Sequence, residues 1–229
     1  MNQQYQNSSS TGVAVDALIA DYVAGRLTMP AQLLVDAHME IVPESRKFAA
    51  TLEDIAGHAL DEITPSPIAK SGAMLDAIFD APDAPLPPAL QLKHENSKSG
   101  ASDWLPGALN NLLGEAEMPI SWRMKLPGVY IHRLPDRDGC EIQFLKIKPG
   151  YAVPTHTHEG RELTLVLKGS FHDGGGTFGR GDIAVADAAI DHKPVAGPGE
   201  DCICFIVNDA PLRFTGFLAR FLSVFRHRH

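Results

Sequence analysis

Two histidines stand two residues apart, His156 and His158, in the segment PGYAVPTHTHEGRELTLVLKG, and Glu162 follows four residues later. In an extended chain residues i and i+2 leave the same face, so both imidazoles point one way. A third histidine, His192, comes from DAAIDHKP, beyond the glycine-rich GGGTFGRGD. Three neutral imidazoles and one carboxylate form a ligand set suited to Zn²⁺, Fe²⁺, Mn²⁺ or Ni²⁺. A bare His-x-His pair is more often a surface coincidence; the added carboxylate and third histidine point to a site. Four protein ligands close a tetrahedral zinc site, which would be structural. Around an octahedral ion the same four leave two positions for water, dioxygen or a bidentate small molecule. Both arrangements stay open at this level.

These residues need extended elements to hold them. From Pro127 the hydrophobic period is two: VYIHRL (129–134) and CEIQFLKI (140–147) flank PDRDG, with Asp138-Gly139 as the turn signal. ELTLVLKG, DIAVAD and CICFIV follow at short spacing, each bounded by Gly, Pro or Asp. The connections leave no room for crossover helices, so an all-β barrel or sandwich is expected. Gly150, His156-x-His158, Glu162 and Gly169 keep every fixed spacing of the first cupin motif, and Gly181 with His192 keeps that of the second. This half therefore resembles a cupin, a double-stranded β-helix or jelly-roll barrel. Two positions depart from the pattern: Asp187 and Ala189 stand where Pro and Gly are usual. Both are turn positions rather than ligands.

The front third reads as helices. VAVDALIADYVAGRL (13–27) places Val15, Ile19 and Val23 on one stripe, with Gly25 as terminator. A second helix is expected from Pro30 through AQLLVDAHMEI to Pro43. A third runs from Glu44 to about Ile63, with Phe48, Leu52, Ile55, Ala59 and Ile63 on one face. Ser66 or Ser71 is expected to cap a fourth, ending near Phe79. The chain is thus an α+β multidomain protein: a helical domain over 1–80, a linker over 81–103 and a cupin over 104–229. The linker contains Pro82, Pro85, Pro87 and Pro88 and then polar residues. So small a helical core is marginal without a metal, a partner or a docked neighbour.

Composition limits the partners. Lys and Arg number 20 against 28 Asp and Glu, a net charge of −8 over 229 residues. That argues against direct nucleic-acid binding, which runs on clustered cations. MNQQYQNSSSTG carries no basic residue and no apolar core of a signal, and no stretch reaches the length of a membrane span. Three cysteines, Cys140, Cys202 and Cys204, are too few for a disulfide framework. A cytoplasmic protein is expected. Cys202 and Cys204 share one face of a strand and read as small buried residues rather than a disulfide pair. His172 and Asp173 read as loop residues near the cupin mouth, Trp104 and Trp122 as cover for the barrel, and His227 and His229 as a solvated tail or a weak adventitious metal site.

The whole chain, from DALIADYVAGRL through LLVDAHMEIVPESR to DAPLRF, is similar to the ChrR-type anti-sigma factors. That resemblance implies a zinc-dependent helical domain clamping an extracytoplasmic-function sigma factor, and a cupin needed for the response to singlet oxygen or related oxidants. The family's helical signature is His-x₃-Cys-x₂-Cys with a further upstream His. Here His38 keeps its place, but Val42 and Ser45 stand at the two Cys positions and no histidine precedes His38. One imidazole cannot hold a structural zinc, so no N-terminal zinc is expected and His38 reads as an ordinary helix histidine. The resemblance implies one divalent metal in the cupin at His156, His158, Glu162 and His192, with zinc favoured over iron, manganese or nickel. It assigns no catalytic residue and admits a homodimer through the cupin. The alternative is a metal-dependent cupin oxygenase acting on a small molecule; a third reading is a metal cupin that no longer binds a sigma factor.

Overall fold

The computed structural model describes residues 3–81, 103–115, 119–189, 191–210 and 212–214. The expected linker falls almost wholly outside these, as do His227 and His229. Residues 1–53 with 102–229 form one compact unit and residues 54–101 a second.

Helix α1 spans Gln3–Val23 and stops two residues before Gly25, whose φ of +65° ends it. Helix α2 spans Met29–Ile41 with Pro30 in its first turn, where the missing N–H has no helical partner to lose. Helix α3 runs Pro43–Asp61 and α4 Ser71–Phe79. The residue preceding α4 is Lys70 in a left-handed conformation, so neither Ser66 nor Ser71 occupies the expected capping position. Helix α5, Gly107–Glu115, is an element that the sequence reading did not anticipate.

Eleven strands follow among the described residues. Strands β1 (Arg123–Leu126), β2 (Val129–Arg133), β3 (Glu141–Ile147), β10 (Cys202–Asn208), β5 (Glu162–Lys168) and β8 (Ile183–Ala186) pair in that order as an antiparallel six-stranded sheet. A three-stranded sheet holds β7 (Gly176–Gly179), β6 (Ser170–Asp173) and β9 (Val195–Ala196). Strands β4 (His156–His158) and β11 (Leu212–Phe214) pair separately. The sheets do not hydrogen-bond into a closed barrel, but their order and facing surfaces fit the cupin jelly roll.

Alternation along three strands decides what each face touches. On β5, Leu163, Leu165 and Leu167 join an outer core with Leu18 and Ile19 of α1 and Leu34 and Val35 of α2. On β10, Ile203, Phe205 and Val207 do the same, as do Ile142 and Phe144 of β3. The intervening residues Val166, Cys204, Ile206 and Ile147 face Phe171, Phe178 and Ala196 in the second core. A strand buried on both faces reads as a continuous apolar run, which is why ELTLVLKG and CICFIV contain so few polar residues.

The helices α1 and α2 therefore bury their stripes against the sheet rather than in a bundle of their own. The expected α3 stripe is a corresponding difference: Leu52 packs on the outer core, whereas Ile55 and Ile63 are exposed. Trp104 and Trp122 pack at the margin of the outer core.

Candidate metal centre

His156 lies opposite His192 in an isolated antiparallel bridge, His156 N–H to His192 O at 3.1 Å and the reverse bond at 3.0 Å. His158, two residues on, shares the face of His156. Glu162 opens β5 with the same parity as Thr164 and Val166, which turns its carboxylate inward. All four side chains are buried, and one donor atom from each lies within 4.8 Å of every other. The four residues singled out by spacing are thus brought together.

Hydrogen bonds fix where the lone pairs point. His156 Nδ1–H donates to the Pro154 carbonyl at 2.8 Å, and His192 Nδ1–H donates to Asp173 Oδ2 at 3.1 Å. In neutral rings these bonds leave the lone pairs on Nε2, and the two Nε2 atoms are 2.9 Å apart. His158 Nε2 lies 3.1 Å from His192 Nε2 and 3.6 Å from Glu162 Oε2. The Nδ1 of His158 is buried with no hydrogen-bond partner, so no such contact sets its tautomer. Two imidazole lone pairs aimed at one another repel unless a cation sits between them. Nitrogens held about 2.1 Å from one ion are about 3.0–3.4 Å apart for angles from square to tetrahedral. The donor set, its spacing and its charge fit a divalent metal ion.

The electrostatics agree. Burial pushes the His156 imidazole down to about 3, helped by the neighbouring His192, so it is neutral at any ordinary pH. Burial also lowers His158, against the opposing pull of Glu162. Burial alone would raise Asp173, but the bonds from His192 and from the Gly175 and Gly176 amides hold it below the usual carboxylate range. It stays an anion, and it keeps the His192 proton on Nδ1. Thr164 Oγ1 donates to Glu162 Oε1 at 3.0 Å and fixes the carboxylate in the same way.

Asp173 corrects the sequence reading, which left it as a loop residue. It ends β6, and its role depends on the folded chain carrying His192 past that strand end. His172 beside it is exposed. Asp187, where a Pro is usual, accepts the Ala189 amide on Oδ1 at 2.9 Å, and Thr157 Oγ1 donates to Ala188 O at 3.2 Å. The turn before His192 is held by side chains instead of by Pro and Gly. Cys202 and Cys204 are buried free thiols with sulfurs 3.7 Å apart. The bond from Cys202, with burial, raises the Cys204 thiol far above its ordinary value, so both behave as small core residues.

His38 is a satisfied buried histidine. Its Nδ1–H donates to the Gly181 carbonyl and its Nε2 accepts from Ser45 Oγ, both at 2.7 Å. Gly181, with φ +94°, has no room for a side chain: a β-carbon there would lie 2.9 Å from Val42 Cγ2. The α2 end thus rests on the turn that feeds β8.

Residues 117–211 match the model of the ChrR cupin-like domain family. The chain is similar to the anti-sigma-E factor ChrR of Cereibacter sphaeroides, with 36% identity over 210 residues, covering 92% of this chain and 95% of that protein. It is also similar to the crystal structure of Rhodobacter sphaeroides SigE in complex with the anti-sigma ChrR. There the TM-score is 0.67 at 33% identity, over 85% of this chain and 96% of that one. Likeness sustained from the helices through the cupin strands, rather than in the cupin alone, makes the chain a member of the ChrR anti-sigma factor family.

Proposed function

We propose that this protein sequesters an extracytoplasmic-function sigma factor in the cytoplasm and releases it when oxidative stress acts on its cupin. The observation that carries the partner reading is the apolar surface of the second unit. On α4, Met74, Leu75, Ile78 and Phe79 are all exposed, Phe79 at 78%, and Ile55, Leu60, Ile63 and Ile68 add to the exposed apolar residues of that unit. Monomeric proteins rarely leave so much apolar surface in water, and such surfaces mark partner sites. The SigE complex of the similar ChrR supports a sigma factor as that partner. The net charge of −8 suits a basic partner. No described helix is long and apolar enough to cross a membrane.

In the cupin, His156, His158, Glu162 and His192 would hold one divalent ion, zinc by preference for three imidazoles and a carboxylate. Such an ion supplies a Lewis-acid centre. Pro154 and Asp173 hold the protons of two ligands away from it, and Thr164 orients the third. A mechanical connection runs outward from these residues. Glu162 pairs with Ala186 across β5 and β8, β8 follows Gly181, and the Gly181 carbonyl accepts a hydrogen bond from His38 Nδ1–H. A change at these residues would bias α2 only through an element with two arrangements, and β5 and the Gly181 turn are the elements of this connection that touch α2.

The test is co-expression with each extracytoplasmic-function sigma factor of the source organism, followed by size-exclusion chromatography. A stoichiometric complex is expected. Separate elution of two folded proteins contradicts the proposal, and oxygen consumption on a small-molecule substrate would favour the oxygenase alternative.

A further inference from the structure

His156, Glu162 and His192 line a cavity of ≈ 110 Å³ inside the cupin, while His158 lies outside its wall. Most of the remaining lining is apolar, including Ile131, Leu145, Phe171, Phe178, Ala184 and Ile206. Two further polar wall residues are already engaged: Thr164 on Glu162, and Asp173 on His192 and the Gly175 amide. Gln143 adds one neutral amide to the lining. The chamber thus has one ionic end and a greasy remainder. The apolar part of such a chamber suits a small hydrocarbon group.

The chemistry of the ionic end selects the head group. Three neutral imidazoles and one carboxylate carry −1, so a divalent ion among them leaves +1 facing the cavity. Asp173 offsets that charge only from behind the His192 ring, and Coulomb attraction favours an anion in direct contact over one further away. Without the metal the sign reverses, because Glu162 would repel an anion. The inference rests on the reading that these four residues hold a metal.

We propose that the cavity binds a short-chain monocarboxylic acid of about four to six carbon atoms. Its carboxylate faces His156, Glu162 and His192, and its alkyl chain lies among Ile131, Leu145, Phe171 and Ile206. Occupancy of the cupin would then respond to a metabolite as well as to an oxidant.

The test uses full-length protein whose metal content is first counted by elemental analysis, and a Co²⁺-substituted sample for visible spectroscopy. The probe is 3-methylbutanoate. The expected result is a saturable change in the cobalt bands and a raised unfolding temperature, both absent from chelator-treated protein. Acetate should bind at least about tenfold more weakly, since each buried methylene adds roughly fourfold. The neutral 3-methylbutan-1-ol should also be weaker. Ala184→Leu fills the chamber and should keep the metal while losing the response; Ile206→Phe serves the same purpose if the first variant does not fold.

Metal-loaded protein that gives no saturable response overturns the proposal. So does a response of equal strength to acetate or to the alcohol, or one undiminished in the filled variants. Wild-type protein that takes up no metal removes the metal reading itself and this proposal with it, a result that elemental analysis separates from the others.

Discussion

His38 occupies a position where the family signature places a zinc ligand, yet here its two nitrogens go to Gly181 O and Ser45 Oγ. Burial lowers its pKa from 6.5, despite the opposing Gly181 bond. Between that lowered value and 6.5 the unfolded chain binds more protons than the folded one, so stability rises with pH across this window. The contribution is complete above 6.5 and is lost as pH falls toward the folded value. His38→Gln should therefore lower the unfolding free energy from urea titration at about pH 7.5 by roughly 1–2 kcal/mol, and flatten the decline toward about pH 5.5. Parallel pH profiles for the two proteins would show that His38 is not the titrating group. A second prediction concerns Asp173, whose carboxylate fixes the His192 tautomer. Asp173→Ala should weaken metal retention about 10–100-fold in a chelator competition; unchanged retention would make that contact incidental. The four clustered residues were legible because the spacings within each of the two motifs lie in short stretches of sequence. Asp173 was not, because it meets His192 only when β6 passes the turn after β8.

Among the elements, the short apolar runs bounded by turn residues found β2, β3, β5, β8 and β10, while Glu162 was singled out by its spacing from His158. Parity could not say that the other face of those strands would carry α1 and α2. A periodic stripe defines a face and leaves its partner open, which is also why Ile55 and Ile63 were expected in a core and are exposed. Helix α5 escaped notice for a different reason. GALNNLLGE is a mediocre helix former, and its N-terminus is held from far away. Glu40 of α2 accepts the Gly107 and Ala108 amides at 2.6 and 2.8 Å, a carboxylate on an N-terminal turn. The α2 contact with the β7–β8 turn gives a prediction at this scale. Gly181→Ala adds a β-carbon at φ +94° against Val42, so urea unfolding should show a loss of roughly 1–3 kcal/mol. A change within error would mean that the turn relaxes freely.

For the molecule as a whole, the absence of the two family cysteines raised the question of what stabilises so small a helical front. The structure answers for α1 and α2: their apolar stripes lie against the cupin sheet in a shared core. The second unit is different, since none of the side chains of α4 is buried. Leu75→Asp or Phe79→Asp should weaken sigma-factor capture by at least about tenfold in calorimetry, without changing the cupin's metal content. Equal affinity would place the partner surface elsewhere. The negative charge, read at first only as an argument against nucleic acid, now accompanies a family relationship and an uncovered apolar surface. The most direct measurement is promoter-specific transcription by core polymerase and the extracytoplasmic-function sigma factor captured in co-expression, titrated with this protein. Transcription is expected to fall to background near one equivalent. Transcription that persists at large excess of folded, metal-loaded protein would contradict sequestration.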